Sequence, residues 1–212
     1  MLDTTAIMSK SEVTRGPITP ESRRRFESYI AEIFIALGMD LDTQGCQETP
    51  QRFIEALVDM TSGYEGDSNI ATTFRSEGEH SQSTSNQIIE GPITFYALCE
   101  HHGLPFFGVA HVGYTPRSQI IGISKLIRIV RVFARRFTLQ ERIGEQIADH
   151  LVELIAPSGV AVHLVAARLC THMRGVHEPS KTTTTFWRGA FVDPDLRRDF
   201  LVTVHRGDRP SP

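Results

Sequence analysis

Apolar positions at helical spacing first appear at Phe26, Tyr29, Ile30, Ile33, Phe34 and Leu37, predicting a helix with one inward face. Thr19-Pro20 reads as its N-cap and first position, and Gly38 as its stop. Thr49-Pro50 repeats the signal for a second helix, with Phe53, Ile54 and Leu57 inward and an end near Gly63. Residues 64–86 are polar and rich in Ser, Thr, Glu and Gly, as in a connecting excursion. The period then changes. Ile88–Leu98 and Phe106–Tyr114 are rich in β-branched and aromatic residues and predict strands, followed by a turn over Thr115–Ser118.

Ser124 is placed to cap a helix reaching about Arg136, with Leu126, Ile129, Val130 and Phe133 inward. Another helix is expected over 139–155, with Ile143, Ile147, Leu151 and Leu154 on one face, before the break at Pro157-Ser158-Gly159. Val160–Leu169 and Thr182–Phe191 predict two more strands, and Asp193-Pro194 caps a short final helix. This order predicts an α+β chain whose antiparallel sheet is covered on one face. The expected divisions are a loose tail at 1–18, a helical and connecting region at 19–87, and a catalytic domain at 88–212.

The chain has 212 residues and a formal net charge of -3, which argues against general nucleic-acid binding but leaves room for a small anion. No apolar run approaches the roughly 18 residues of a membrane span, and the N-terminus lacks a secretory apolar core. Three cysteines and no sign of an oxidising compartment point to the cytoplasm. Cys46 is expected to be a buried thiol, and His80, His111, His150, His163 and His205 to be surface or satisfied core histidines.

Cys99-Glu100-His101-His102 sets a thiolate and an imidazole three residues apart at a strand end, a usual spacing for two zinc ligands. Cys170 can supply a third ligand from a later strand end, leaving the fourth position to water. Zinc lowers the pKa of such a water to about 7. Spacing alone leaves the bland reading open, since Cys-x-x-His also occurs by chance and a lone cysteine is often only a small hydrophobe. Gly122-Ile123-Ser124-Lys125 opens a helix whose exposed amides suit an anion, with Lys125 and Arg128 on one face. A solvated basic helix accounts for the same residues. Gln140-Glu141 offers a carboxylate for a guanine N1–H and amine, although surface glutamates are common on helices.

Six segments in order resemble GTP cyclohydrolase I: ETPQR at 48–52, CEHHGLPFFG at 99–108, IIGISKLIRIV at 120–130, LQERIGEQI at 139–147, LCTHMRGV at 169–176 and SKTTTTFWRGAF at 180–191. The resemblance implies the T-fold and a ring-shaped homo-oligomer, typically a decamer, with active sites between subunits. It implies conversion of GTP and water to formate and 7,8-dihydroneopterin triphosphate. By position, Cys99, His102 and Cys170 match the zinc ligands and His101 a catalytic histidine. Arg52, Lys125, Arg128 and Arg174 match cations around the triphosphate, Ser124 lies near the ribose, and Gln140 and Glu141 match the guanine-recognition pair.

Two positions depart from the family pattern. Arg168 stands where the resemblance calls for a second catalytic histidine, and arginine cannot carry a proton back and forth. If the strand continued, Arg168, Cys170 and His172 would share a face, and His172 would partly take over. Gly103 replaces a bulkier apolar residue. The competing readings are an enzyme that stops at a ring-opened formamidopyrimidine nucleotide and a silent paralogue with structural zinc. The Lys125, Arg128, Arg174 and Glu141 set speaks against silence. The zinc triad and the SKLIR segment speak against a nitrile-reducing T-fold relative.

Overall fold

The computed structural model describes residues 15–71, 73–75 and 86–207; His80 and most of the expected N-terminal tail lie outside them. In chain order the elements are α1 (Pro20–Ala36), α2 (Thr49–Met60), β1 (Thr73–Arg75), β2 (Ile88–Cys99), β3 (Pro105–Thr115) and β4 (Gln119–Ile121). They continue with α3 (Ile123–Ala134), β5 (Phe137–Thr138), α4 (Gln140–Ile155), β6 (Gly159–Arg168), α5 (Leu169–His172), β7 (Lys181–Gly189) and α6 (Pro194–Gly207). Short 3-10 turns at Ser62–Glu65 and Ser68–Ala71 bridge α2 and β1.

The main sheet runs β5-β2-β3-β6-β7, with β2, β3, β6 and β7 antiparallel and the two-residue β5 parallel to β2. Alternation assigns its faces. Phe95, Ala97, Phe106, Ala110, Val112, Val160, Val162 and Leu164 turn toward α3 and α4, which return Leu126, Ile129, Val130, Ile143, Ile147 and Leu151 to the same core. The opposite face is not bare as expected, because α6 seats Leu196, Phe200 and Val204 there against Ala161 and Phe191.

The N-terminal helices depart most from expectation. The Thr19 cap holds, its side chain accepting from the Ser22 amide at 3.1 Å. The apolar stripe of α1 is not buried, however: none of its residues is, and Tyr29, Ile33 and Leu37 are 53%, 51% and 80% exposed. Its packing is confined largely to α2, where Phe34 meets Phe53 edge-on. On α2 only Pro50 and Ile54 are buried; of the other residues read as inward, Leu57 is half-buried and Phe53 is 39% exposed, turned to Phe34 of α1. Arg15, assigned to the loose tail, donates to the Val58 carbonyl at 2.7 Å and pairs with Glu65.

Three local readings also change. Gly122 rather than Ser124 is the N-cap of α3, and the Ser124 side chain is exposed in the first turn. Cys46 is half-buried in the turn before α2, not a core thiol. His111, His150 and His163 are core histidines, and the first and third face each other across β3 and β6.

Candidate active site

One end of the sheet gathers chain segments that are far apart in sequence. Register pairs Leu98 with Pro105, Phe106 with Arg168 and Ala167 with Lys181, so β2 and β6 finish at the same end of the sheet on either side of β3. The parallel contact of Cys99 with Thr138 brings the start of α4 to the same place.

The loop after β2 is tight. Cys99 N donates to the Leu104 carbonyl and Gly103 N to the Cys99 carbonyl, each at 2.8 Å. Gly103 closes it with φ +66, in the left-handed region that a side chain resists. Glu100 ties the loop to α4 through both Arg142 guanidinium nitrogens, and that hydrogen bonding holds its carboxyl below the usual range.

Within this end, ligand atoms of Cys99, His102 and Cys170 all lie within 4.8 Å of one another. Cys99 Sγ stands 3.7 Å from His102 Nδ1, and both cysteines are buried while His102 opens to solvent. Burial first, and then the nearby Cys99 sulfur, push the Cys170 thiol up, with the Arg168 charge opposing. Two sulfurs and one imidazole nitrogen thus converge on one point. The donor set therefore fits one borderline-soft metal ion with an open outer side.

His101 is exposed next to His102, their rings edge to face at 6.2 Å between centroids. The strand does not continue past Arg168: Leu169–His172 coil into a helical turn, so Arg168, Cys170 and His172 lose the shared face expected of them. His172 turns to the Ser180 carbonyl, 2.9 Å from its Nε2. Arg174 is exposed on the turn that follows.

Gln140 and Glu141, adjacent in sequence, divide sharply. Gln140 is wholly buried, its Nε2 donating to Leu164 O at 3.1 Å, Thr182 O at 2.9 Å and Thr184 Oγ1 at 3.2 Å. Glu141 is exposed on the first turn of α4, and Arg168 reaches both residues. The contacts of Thr182 and Thr184 with Gln140, and of Arg142 with Glu100, carry no sequence periodicity and are visible only in the fold.

The remaining cations stand elsewhere. Ser124, Lys125 and Arg128 occupy the beginning of α3, whereas the Arg136 carbonyl just past its end accepts from Leu98 N at 3.1 Å. At 1.5 Å per residue, Ser124 lies about 15 Å along the helix from that end. It borders a cleft of ≈ 820 Å³ lined also by Arg128, Arg131 and Arg135. Arg128 pairs with Asp67 at 2.8 Å, a bond that lowers the Asp67 pKa. Arg52 on α2 pairs with Glu48 at 2.6 Å. The chain thus brings together the metal ligands, His101, Gln140, Glu141 and Arg168, and leaves Ser124 at the other end of α3. No described helix is long and apolar enough to cross a membrane.

Residues 26–205 match the family GTP cyclohydrolase I. The GTP cyclohydrolase 1 of Deinococcus radiodurans is 42% identical over 192 residues, 90% of this chain and 88% of that protein. That of Saccharomyces cerevisiae is 36% identical over 187 residues, 88% of this chain and 76% of that protein. A solved archaeosine synthase QueF-Like structure in the apo form aligns with a TM-score of 0.39 at 15% identity, over 51% of this chain and 98% of that chain. With a match spanning nearly all of its described core, the chain belongs to the GTP cyclohydrolase I family, a family of T-fold hydrolases.

Proposed function

We propose that this protein is a zinc-dependent hydrolase that opens the imidazole ring of GTP, releases formate and forms 7,8-dihydroneopterin triphosphate. The observation that carries the reading is the convergence of Cys99, His102 and Cys170 at the sheet end that also holds Glu141. Those three residues would hold the metal, and zinc when bound supplies Lewis acidity that lowers a water's pKa to about 7. The exposed Glu141 carboxylate accepts from guanine N1–H and the exocyclic amine, while the buried Gln140 stiffens the start of α4 beneath it. His101, exposed beside the metal ligands, gives a proton to the departing ring nitrogen and recovers one later.

The balance is simple. One water adds at C8 and opens the ring; a second frees formate from the exposed amine; ring closure returns one water. Arg52, Lys125, Arg128 and Arg174 bind the triphosphate, and Ser124 sits near the ribose. The separation of Ser124 from the metal end of its own subunit supports a site shared between neighbours in a homo-oligomer, which the resemblance makes a decamer. The exposure of Tyr29, Ile33 and Leu37 on the apolar stripe of α1 supports such an assembly, and three free cysteines suit a cytoplasmic protein.

A second reading is favoured by one feature. Arg168 is committed to Gln140 and Glu141 and holds its proton, so the step after ring opening lacks a carrier there. In that reading a ring-opened formamidopyrimidine nucleotide accumulates. Purified protein, zinc and GTP, followed by mass and formate analysis, separates the two. One formate per GTP without lag supports the full reaction; a product of GTP plus one water supports the arrested one. Unchanged GTP refutes both.

A further inference from the structure

Arg168 is held at both ends. Its backbone closes β6 opposite the fully buried Phe106. Its Nη2 lies 3.3 Å from Gln140 Oε1 and 3.3 and 3.4 Å from the two Glu141 oxygens. Gln140 cannot swing away, because its amide nitrogen is spent on β6 and β7 acceptors. The oxygen it turns to Arg168 is therefore a fixed reference, and Glu141 is the one member of the cluster free to move without disturbing the core.

We infer that Arg168 is a positioning residue for purine selection, clamping the Glu141 carboxylate in a single orientation against the buried Gln140. This rests on the reading of Glu141 as the group that meets the base. A carboxylate carries about four lone-pair directions, so both oxygens keep acceptors for a guanine-type edge while Arg168 is bound. A glutamate ordered only by the ligand gives up rotamer freedom on binding; one already clamped does not. The two adjacent N–H donors of guanine match the fixed carboxylate, whereas adenine presents an acceptor at N1 and is repelled. The position that the resemblance gives to a proton carrier holds a rigid cation here.

The test uses the full-length, zinc-loaded assembly and initial rates of ring opening with GTP and with ITP, which lacks the exocyclic amine. Variants are Arg168→Gln, Arg168→Lys, Glu141→Gln and the Arg168→Gln/Glu141→Gln double, with zinc content and unfolding midpoint measured alongside. Arg168→Gln is expected to cut the GTP-over-ITP preference by about tenfold, the scale of one charge-assisted hydrogen bond, and to act through KM more than kcat. Arg168→Lys should restore part of the preference, and the Arg168 effect should vanish in the Glu141→Gln background. A preference within about twofold of the parent in Arg168→Gln, with Glu141→Gln still abolishing it, overturns the clamp alone. A preference unchanged in both overturns the reading of Glu141. Should Arg168→Gln fail to fold, a full parental preference in Arg168→Lys overturns the clamp, because the shorter lysine stem and its mobile ammonium do not reproduce the planar guanidinium that places Nη2 against both residues.

Discussion

Replacing Gln140 by leucine should cost stability before it costs recognition. The side chain is 0% exposed, and its amide donates to Leu164 O, Thr182 O and Thr184 Oγ1 while accepting from Arg168. Leucine has similar bulk but neither donor nor acceptor. A buried carbonyl on β6 and a partly buried one on β7 lose a partner, and each unsatisfied group costs about 1–3 kcal/mol. Both carbonyls have a second lone pair, so the lower half of that range applies, roughly 2–4 kcal/mol in all. Against a total of about 5–15 kcal/mol this is a large fraction. For a chain of this size it should lower Tm by roughly 5–15 °C. The assay is thermal or denaturant unfolding at fixed protein and zinc concentration, since assembly and metal both shift the midpoint. Glu141→Ala, at an exposed neighbouring site, should move it by about 1 kcal/mol or less. An unfolding midpoint for Gln140→Leu within about 0.5 kcal/mol of the parent would show that Gln140 is no strap between the strands and is free to meet a ligand.

Cys99→Ser or Cys170→Ser should abolish stoichiometric zinc and GTP turnover together, read by elemental analysis and formate release; activity in a demonstrably metal-free variant refutes the metal's role. Asp67 has its carboxyl held below the ordinary value by Arg128, so the pair stabilises the fold above the ordinary carboxylate pKa. That contribution, no more than about 1 kcal/mol at a partly exposed site, is lost as pH falls through the lowered value. Asp67→Asn should remove this part of the acid dependence in unfolding measured against pH; an identical pH profile contradicts the pairing. Gly103→Leu, which restores the bulk the resemblance calls for, should destabilise by about 1–2 kcal/mol because φ is +66. A neutral effect on the midpoint would mean that the loop relaxes out of the left-handed region.

What the sequence determined by itself is what local chemistry encodes. The inward residues of α3 and α4 follow a 3.6-residue period, and those of β3 and β6 a period of two, because each buries one face against the same core. Thr19 caps α1 because its oxygen needs only the amide three residues on. Local spacing named Cys99 and His102 only as candidates, and Cys170 only as a residue able to join them; the resemblance matched all three to zinc ligands, and the fold brings the three ligand atoms within 4.8 Å of one another. Tertiary structure decided whatever depends on a partner distant along the chain. Strand register, not spacing, set Arg168 beside Gln140 and Glu141. Gln140 and Glu141 are equal candidates in sequence, and only the close approach of β6 and β7 buries the first and leaves the second open. The turn at Leu169–His172 removed the shared strand face, directing His172 to Ser180. The α1 stripe obeys the helical period yet is only partly covered, because periodicity specifies that a face is apolar and only the surrounding fold supplies what covers it.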